Sequence, residues 1–406
     1  MQHIIEYLVQ SNSTTTLLMI AITICVGTII GKAKIMSLRI GVIAVLFSGM
    51  ILGIVCGRLG IGLNADMTGI LKDLGLILFI YIIGLQVGPS FFAGLKKGGL
   101  RLNLQAFVIV VLGLVITLLI SEFDGVQPDM MAGIYSGAIS STPGLSAAQE
   151  TVRNLGAGDA EAVAAGYALA YPIGVIIPIV CCILIRRICN VRIEDENFNE
   201  IIGKASDAKS STEAASSVGK SVIVLFGGIL FGLLVGSIAI HITIKGTTVP
   251  MKLGYTGGPL VTAILIGHFG TKWGWIDSTI TNSEGYSLLK EVGLVIFMAL
   301  VGLTSGSKIL EINILSGAKW IIYGLIIALL PTLIVGLFVR MRHKTNYFTL
   351  MGLIGGATTD TPALAYANNV ATKRAEGLPA EAYATVYPLT VFLRILTAQF
   401  FVLIML

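Results

Sequence analysis

Two nine-residue stretches decide how this chain folds: GAISSTPGL at residues 137–145 and GATTDTPAL at residues 356–364. Each puts hydroxyl side chains and a proline in the middle of a run that is otherwise apolar. They match at Gly137-Ala138, Ser140, Thr142-Pro143 and Leu145 against Gly356-Ala357, Thr359, Thr361-Pro362 and Leu364. Further blocks recur on both sides of them. Lys72, Asp73, Gly75, Leu76, Phe79, Gly84, Leu85 and Gly88 match Lys290, Glu291, Gly293, Leu294, Phe297, Gly302, Leu303 and Gly306 at a constant offset of 218. Tyr167-Ala168 and Tyr171-Pro172 recur as Tyr383-Ala384 and Tyr387-Pro388. Three blocks in one order make an internal duplication.

Composition identifies the solvent. Of 406 residues, 55% are hydrophobic and 12% charged, with a mean hydropathy of +0.89; soluble chains carry about 25% charged residues. Apolar runs fall near residues 14–31, 40–57, 74–92, 102–120, 130–149 and 163–185, then 221–244, 253–270, 292–307, 320–339, 347–369 and 382–406. Runs of about 20 residues are long enough to cross a bilayer. The pattern predicts an all-α polytopic membrane protein and excludes a soluble enzyme, a DNA-binding module and a secreted scaffold. The net charge of +5 is dispersed among loops, so it reports orientation and not a nucleic-acid partner. Cys25, Cys56, Cys181 and Cys182 lie inside apolar runs and are expected to be small buried packing residues, with no zinc spacing among them. No basic region or small-residue cleavage site marks the first residues as a removed leader.

Six apolar runs stand on each side of an acidic, Ser/Ala-rich stretch at 190–217. The predicted organisation is therefore a first membrane repeat at 1–188, a cytoplasmic linker at 189–219 and a second membrane repeat at 220–406. Whether the repeats are parallel or inverted turns on the fifth run of each half. If 129–150 and 347–369 cross the membrane, each half has six crossings and the repeats are parallel. If they dip in and return, each half has five and the repeats are inverted. With re-entrant runs and the N-terminus outside, 19 Lys and Arg fall on the cytoplasmic side and 7 outside; with crossing runs the same residues split 13 to 13. The positive-inside rule favours two inverted repeats, each of five transmembrane helices plus one re-entrant hairpin, with both termini extracytoplasmic.

In each hairpin, Thr142 or Thr361 is expected to cap a half-helix, with Pro143 or Pro362 at its first position, where a missing N–H leaves nothing unpaired. Two such N-termini entering from opposite faces would present positive dipole ends together with the hydroxyls of Ser140, Ser141, Thr358 and Thr359. That combination suits an anion or carboxylate. The alternative is that Thr-Pro merely kinks a crossing helix. Pro172 and Pro388 must release the carbonyls of Ala168 and Ala384, beside Tyr171 and Tyr387, and a freed carbonyl can coordinate a cation or be satisfied by a neighbouring hydroxyl.

Two ionisable residues break the internal symmetry. Arg394 lies midway along the last run, where the first half has Pro178, and Asp360 stands in the second hairpin opposite Ser141 of the first. Among dipole ends they would suit a carboxylate and an amine; alternatively they pair with each other, or Arg394 snorkels to the interface. Asp73 and Glu291 are expected at helix starts, where acids complement the dipole. The glycines at 84 and 88, and at 302 and 306, are spaced for close helix packing.

The run Gly84-Leu85-Gln86-Val87-Gly88-Pro89-Ser90-Phe91-Phe92, the doubled Gly-Ala-x-Ser/Thr-x-Thr-Pro-x-Leu motif and the doubled Tyr-Pro helix together resemble the duplicated membrane domain of the aspartate/alanine exchanger family, over roughly 14–188 and 220–406. The resemblance implies a multi-pass secondary carrier of a bacterial inner membrane, the type member exchanging aspartate for alanine, on an elevator-type plan and as a homo-oligomer, a dimer. Many members carry paired regulatory cytosolic domains between the halves, and here only the short linker stands. The implied partner is a small carboxylate, with no cofactor; coupling to Na+ or H+ stays open, because sodium-coupled glutamate and citrate carriers also use paired re-entrant hairpins. A cation/proton antiporter would need adjacent membrane carboxylates, and no apolar run holds a pair of acids. An intramembrane enzyme would need paired aspartates, a metal-binding His motif or a nucleophile elbow, and a pump a Walker motif; none is present.

Overall fold

The structure, a computed structural model, describes residues 13–35, 38–39, 41–94, 99–192, 196, 218–244, 247–276, 283–311, 314–372, 375 and 377–406. Most of the predicted linker and the first twelve residues lie outside them. The first half contains α1 (Ser13–Gly31), the short pair β1 (Lys34–Ile35) and β2 (Leu38–Arg39), α2 (Ile43–Leu59), α3 (Ala65–Gly94), α4 (Gly99–Asp124), α5 (Pro128–Ala138), α6 (Thr142–Leu155) and α7 (Ala160–Ile188). The second half contains α8 (Val218–Ser237), the hairpin β3 (Ala239–Ile244) and β4 (Thr247–Lys252), α9 (Gly254–Lys272), α10 (Glu284–Glu311), α11 (Ile314–His343), α12 (Tyr347–Ala357), α13 (Thr361–Val370) and α14 (Leu378–Met405). The same series of helices thus occurs twice.

Among the described residues, seven helices are long and apolar enough to cross a membrane. Their outer faces carry large apolar side chains that water would penalise and lipid would not, such as Leu17, Ile22 and Ile29 on α1, Leu104, Val108 and Leu119 on α4, and Ile322, Ile334 and Phe338 on α11. The chain is a multi-pass membrane protein. Local signals explain where its helices stop: α2 ends at Gly60, whose left-handed φ of 70° returns its N–H to the carbonyls of Cys56 and Gly57.

The helices sort into two bundles, each built from both halves. In one, α1, α2 and α3 pack with α8, α9 and α10; in the other, α4 to α7 pack with α11 to α14. Glycine lets backbones touch in both. A Cβ on Gly53 of α2 would lie 2.3 Å from the Leu303 carbonyl of α10, and one on Gly88 of α3 would lie 2.5 Å from the Ile264 carbonyl of α9. The glycines at 84, 88, 302 and 306 therefore serve close packing, and they do so between halves.

These contacts also give the helix directions. On α5 and α7, Gly133 faces Val163 and Gly137 faces Tyr167 and Ala170, so the two helices run the same way. The segment between them, α6, must therefore run back: α5 and α6 form a helical hairpin. In the second half Gly352 faces Pro379 and Ala382, and Gly356 faces Tyr383 and Val386; α12 and α14 run together and α13 returns. Similarly, Gly49 faces Ala299 and Gly302, while Gly53 faces Leu303, so α2 runs with α10. On α3 and α10, Gly75 faces Phe297 while Gly293 faces Phe79, so one helix advances as the other recedes. Helix α3 and its counterpart α10 consequently run in opposite directions. They cross at Gly75 and Gly293, where a Cβ on either would lie 2.7 or 2.5 Å from the other's carbonyl. This opposition is what a pair of inverted repeats requires.

Three expectations need correction. Asp73 and Glu291 do not start helices, because α3 begins at Ala65 and α10 at Glu284; hydropathy marks the apolar part of a helix and misses its polar first turns. Cys25 is exposed, unlike Cys56, Cys181 and Cys182, since it lies on the outer face of α1. Finally, α7 and α14 continue through Pro172 and Pro388 without unwinding. Packing on both sides carries the helices past the missing N–H groups, so neither Tyr-Pro site is a helix break.

Candidate functional site

Both hairpin tips are built by one backbone device. After α5, Ser140 takes a left-handed φ of 48°, its N–H bonding the Gly137 carbonyl at 2.9 Å while the Ser141 N–H reaches Ser136 O at 2.9 Å. After α12, Thr359 takes φ 54°, its N–H bonding Gly356 O at 3.2 Å while the Asp360 N–H reaches Gly355 O at 2.8 Å. Left-handed backbone is uncommon and strained for residues other than glycine. Its recurrence at matching positions of both halves makes it part of the design of the tips.

The left-handed residue also moves the caps. Ser141 and Asp360, with extended backbones, are the N-cap residues, one position before the predicted Thr142 and Thr361. Ser141 Oγ accepts the Gly144 N–H at 3.1 Å. Thr142 is already helical, and its hydroxyl meets Tyr167 Oη at 3.1 Å. Pro143 and Pro362 stay within the first two helical positions, where no hydrogen bond is lost. Asp360 departs from the pattern: it occupies the cap position, but its carboxylate makes no cap hydrogen bond.

The tips meet. Ser140 Oγ donates to the Thr358 carbonyl at 2.9 Å. Ser140, Ser141, Thr142, Thr358 and Asp360 are buried, whereas Thr361 is exposed and Pro362 partly so. The structure thus brings the predicted hairpin residues to one place, except that Thr361 faces outward.

Arg394 joins them from α14. It is 1% exposed, with Nη2 donating to the Ala357 carbonyl at 2.9 Å and Nη1 to Tyr135 Oη at 3.3 Å. Its positive charge therefore faces the C-terminal end of α12, where the helix dipole is negative. Tyr135 in turn donates to Thr397 Oγ1 at 2.9 Å. Arg394 neither snorkels outward nor pairs with Asp360, whose two carboxylate oxygens have no hydrogen-bond partner. Sequence reasoning missed Tyr135, which lies outside the repeated blocks and carries no signal of its own.

The two hairpins differ in how they meet the other bundle. On α6, Glu150 accepts the Tyr255 N–H at the start of α9 at 2.8 and 3.0 Å, and Arg153 lies 3.7 Å from Asp73 of α3. With Lys72, Gln149 and Thr256 these residues line a small cavity with room for about one water. In the second hairpin the matching residues are Asn369 on α13 and Thr372 just beyond its end, both exposed. Among the described residues, α13 makes no such charged or capping contact with the other bundle.

Comparison with known proteins agrees with this architecture. Residues 19–187 and 224–403 match the aspartate–alanine exchanger family, described as a predicted permease membrane region. The chain belongs to this family. An uncharacterized transporter of Bacteroides fragilis is 29% identical over 96% of both chains, and a Haemophilus influenzae protein bearing the name of a transport protein is 30% identical over 96% of this chain and 98% of its own. Both alignments run to 549 positions, more than the 406 residues here, so both relatives carry residues that this family member lacks.

Proposed function

We propose that this permease is a secondary active carrier, not an intramembrane enzyme, and that it exchanges small carboxylates, either an acidic amino acid such as aspartate against alanine, or dicarboxylates, at the meeting point of its hairpin tips. The observation that carries the reading is the convergence at that point of two half-helix N-termini, the Ser140, Ser141 and Thr142 hydroxyls, and two buried ionisable side chains, Arg394 and Asp360, that are not paired with each other. Half-helix N-termini favour anionic groups. Buried charges are unfavourable until a partner of opposite sign arrives, and a zwitterionic or acidic substrate brings such partners.

The asymmetric docking supports an elevator plan. The hairpin bundle would move against the other bundle, closing one side while opening its opposite. Here α6 is held against α3 and α9 while α13 keeps an exposed face, as expected for access from the side of the second hairpin. The excess of Lys and Arg in the loops of that side supports a cytoplasmic position for it in a bacterium, with both termini outside.

Counterflow in proteoliposomes loaded with a panel of carboxylates tests the reading. Uptake is expected for at least one small carboxylate. Thr142→Val and Thr361→Val are each expected to weaken it while leaving insertion intact, Thr142→Val the more strongly because its hydroxyl is buried. Undiminished uptake by both variants would remove the tips as the site.

A further inference from the structure

Buried polar atoms without hydrogen-bond partners concentrate at the second hairpin tip: Thr359 Oγ1, both Asp360 carboxylate oxygens and, on the neighbouring α14, Tyr383 Oη. Asp360 is 1% exposed. A carboxylate at that depth is unfavourable by several kcal/mol unless a cation or several N–H groups answer it. No ion pair reaches it among the described residues, the guanidinium of Arg394 being turned to Ala357 and Tyr135.

Its helix does not explain it either. The matching residue of the first hairpin, Ser141, performs the cap through a hydroxyl, so the same backbone break needs no charge. Asp360 sits where a cap would bond, yet forms none of ordinary geometry, although the Ala363 N–H lies on its side of the turn. The Tyr171 and Tyr383 phenols lie within electrostatic reach of the carboxylate. The ring edge of Tyr383 and the backbone of Asp360 both stand about 3.5 Å from the same point beside Gly355. Tyr383 stacks with Tyr387 at 5.1 Å, and Tyr167 lies 5.0 Å from Tyr171.

We propose that the second hairpin tip is a binding site for a small monocation, with the Asp360 carboxylate as counter-charge and the Thr359 and Tyr383 hydroxyls as neutral oxygen ligands. One carboxylate balances one positive charge, which selects against a divalent ion. Hydroxyl oxygens and tyrosine faces accept an ammonium group or a sodium ion. The cation has two sources, the amine of the substrate or a free coupling ion. Only the first of these rests on the carrier reading above.

The test is the melting temperature of the purified protein in ammonium, methylammonium or sodium chloride, compared with choline chloride at equal ionic strength. At least one small cation is expected to raise it by about 2 °C at tenfold its Kd, and Asp360→Asn to abolish the rise. Asn caps helices as well as Asp does, so a merely structural role would survive the change. No cation dependence in the wild type, or an equal rise in the variant, overturns the proposal. Should Asp360→Asn fail to fold, Tyr383→Phe decides: a diminished rise supports the site and an unchanged one overturns it. Counterflow then separates the sources. A loss of at least tenfold for alanine with propionate spared identifies the substrate amine, and loss of sodium dependence alone identifies the free ion. A wild type that moves no carboxylate at all would sink the carrier reading and leave the melting result standing.

Discussion

Arg394→Lys is expected to lower the apparent affinity for an acidic amino acid or a dicarboxylate by roughly 10- to 150-fold while changing that for a monocarboxylate such as alanine far less. The range is a charge-assisted pair of about 1.5–3 kcal/mol converted to affinity. Two half-helix dipoles, each about half a positive charge, hold one carboxylate without help. A second carboxylate needs a further cation. Arg394 is the cation that α14 places beside the tips, 1% exposed and without an acidic partner among the described residues. Its planar fork can hold the Ala357 carbonyl and Tyr135 and still present N–H groups, Nε among them, which has no partner. A lysine ammonium, a point charge with three donors, cannot span that arrangement. Equal effects on both classes of ligand would remove the acidic substrate and leave a generic carboxylate carrier.

The other large effect is on folding. A Cβ on Gly133 would stand 2.0 Å from the Val163 carbonyl and 2.9 Å from the Tyr167 N, and both neighbours are helix backbone that cannot rotate aside. Gly133→Val should therefore force α5 away from α7, dismantle the first hairpin and cost more than about 3 kcal/mol. Gly57→Ala is the matched control, because a Cβ there meets nothing within 4 Å. The expected result is loss of the monodisperse peak and of the thermal transition for Gly133→Val, with Gly57→Ala unchanged. A Gly133→Val protein that melts like the wild type would mean that the α5–α7 contact is not as close as described.

What the sequence disclosed follows from which interactions are local. The number of apolar runs, the duplication and the Thr-Pro breaks are visible because each depends on residues near one another in the chain. The relation between the halves also leaves a local trace, since Lys and Arg in short loops record the sides on which the helices end. The position of the caps was not legible. It depends on Ser140 and Thr359 adopting left-handed backbones, a conformation that glycine advertises and serine or threonine does not. The cluster of Glu150, Arg153, Asp73 and Tyr255 was equally hidden: it joins α6, α3 and α9, which no local pattern links. Arg394 was conspicuous as a cation inside an apolar run, but the carbonyl it faces, Ala357, is 37 residues away, and only the fold identifies it.

The central structural claim is that the two hairpins enter from opposite sides and return to the side they came from. Single cysteines at Gln127 and Asn154, which bracket the first hairpin, and at His343 and Thr372, which bracket the second, are all at exposed positions. In a cysteine-free background, labelling them with a membrane-impermeant maleimide in intact cells is the direct measurement. Gln127 and Asn154 should be modified together from outside, and His343 and Thr372 together only after the membrane is opened. Modification of Gln127 and Asn154 from opposite sides would mean that the segment crosses the membrane, and would contradict both the re-entrant hairpins and the site at their tips.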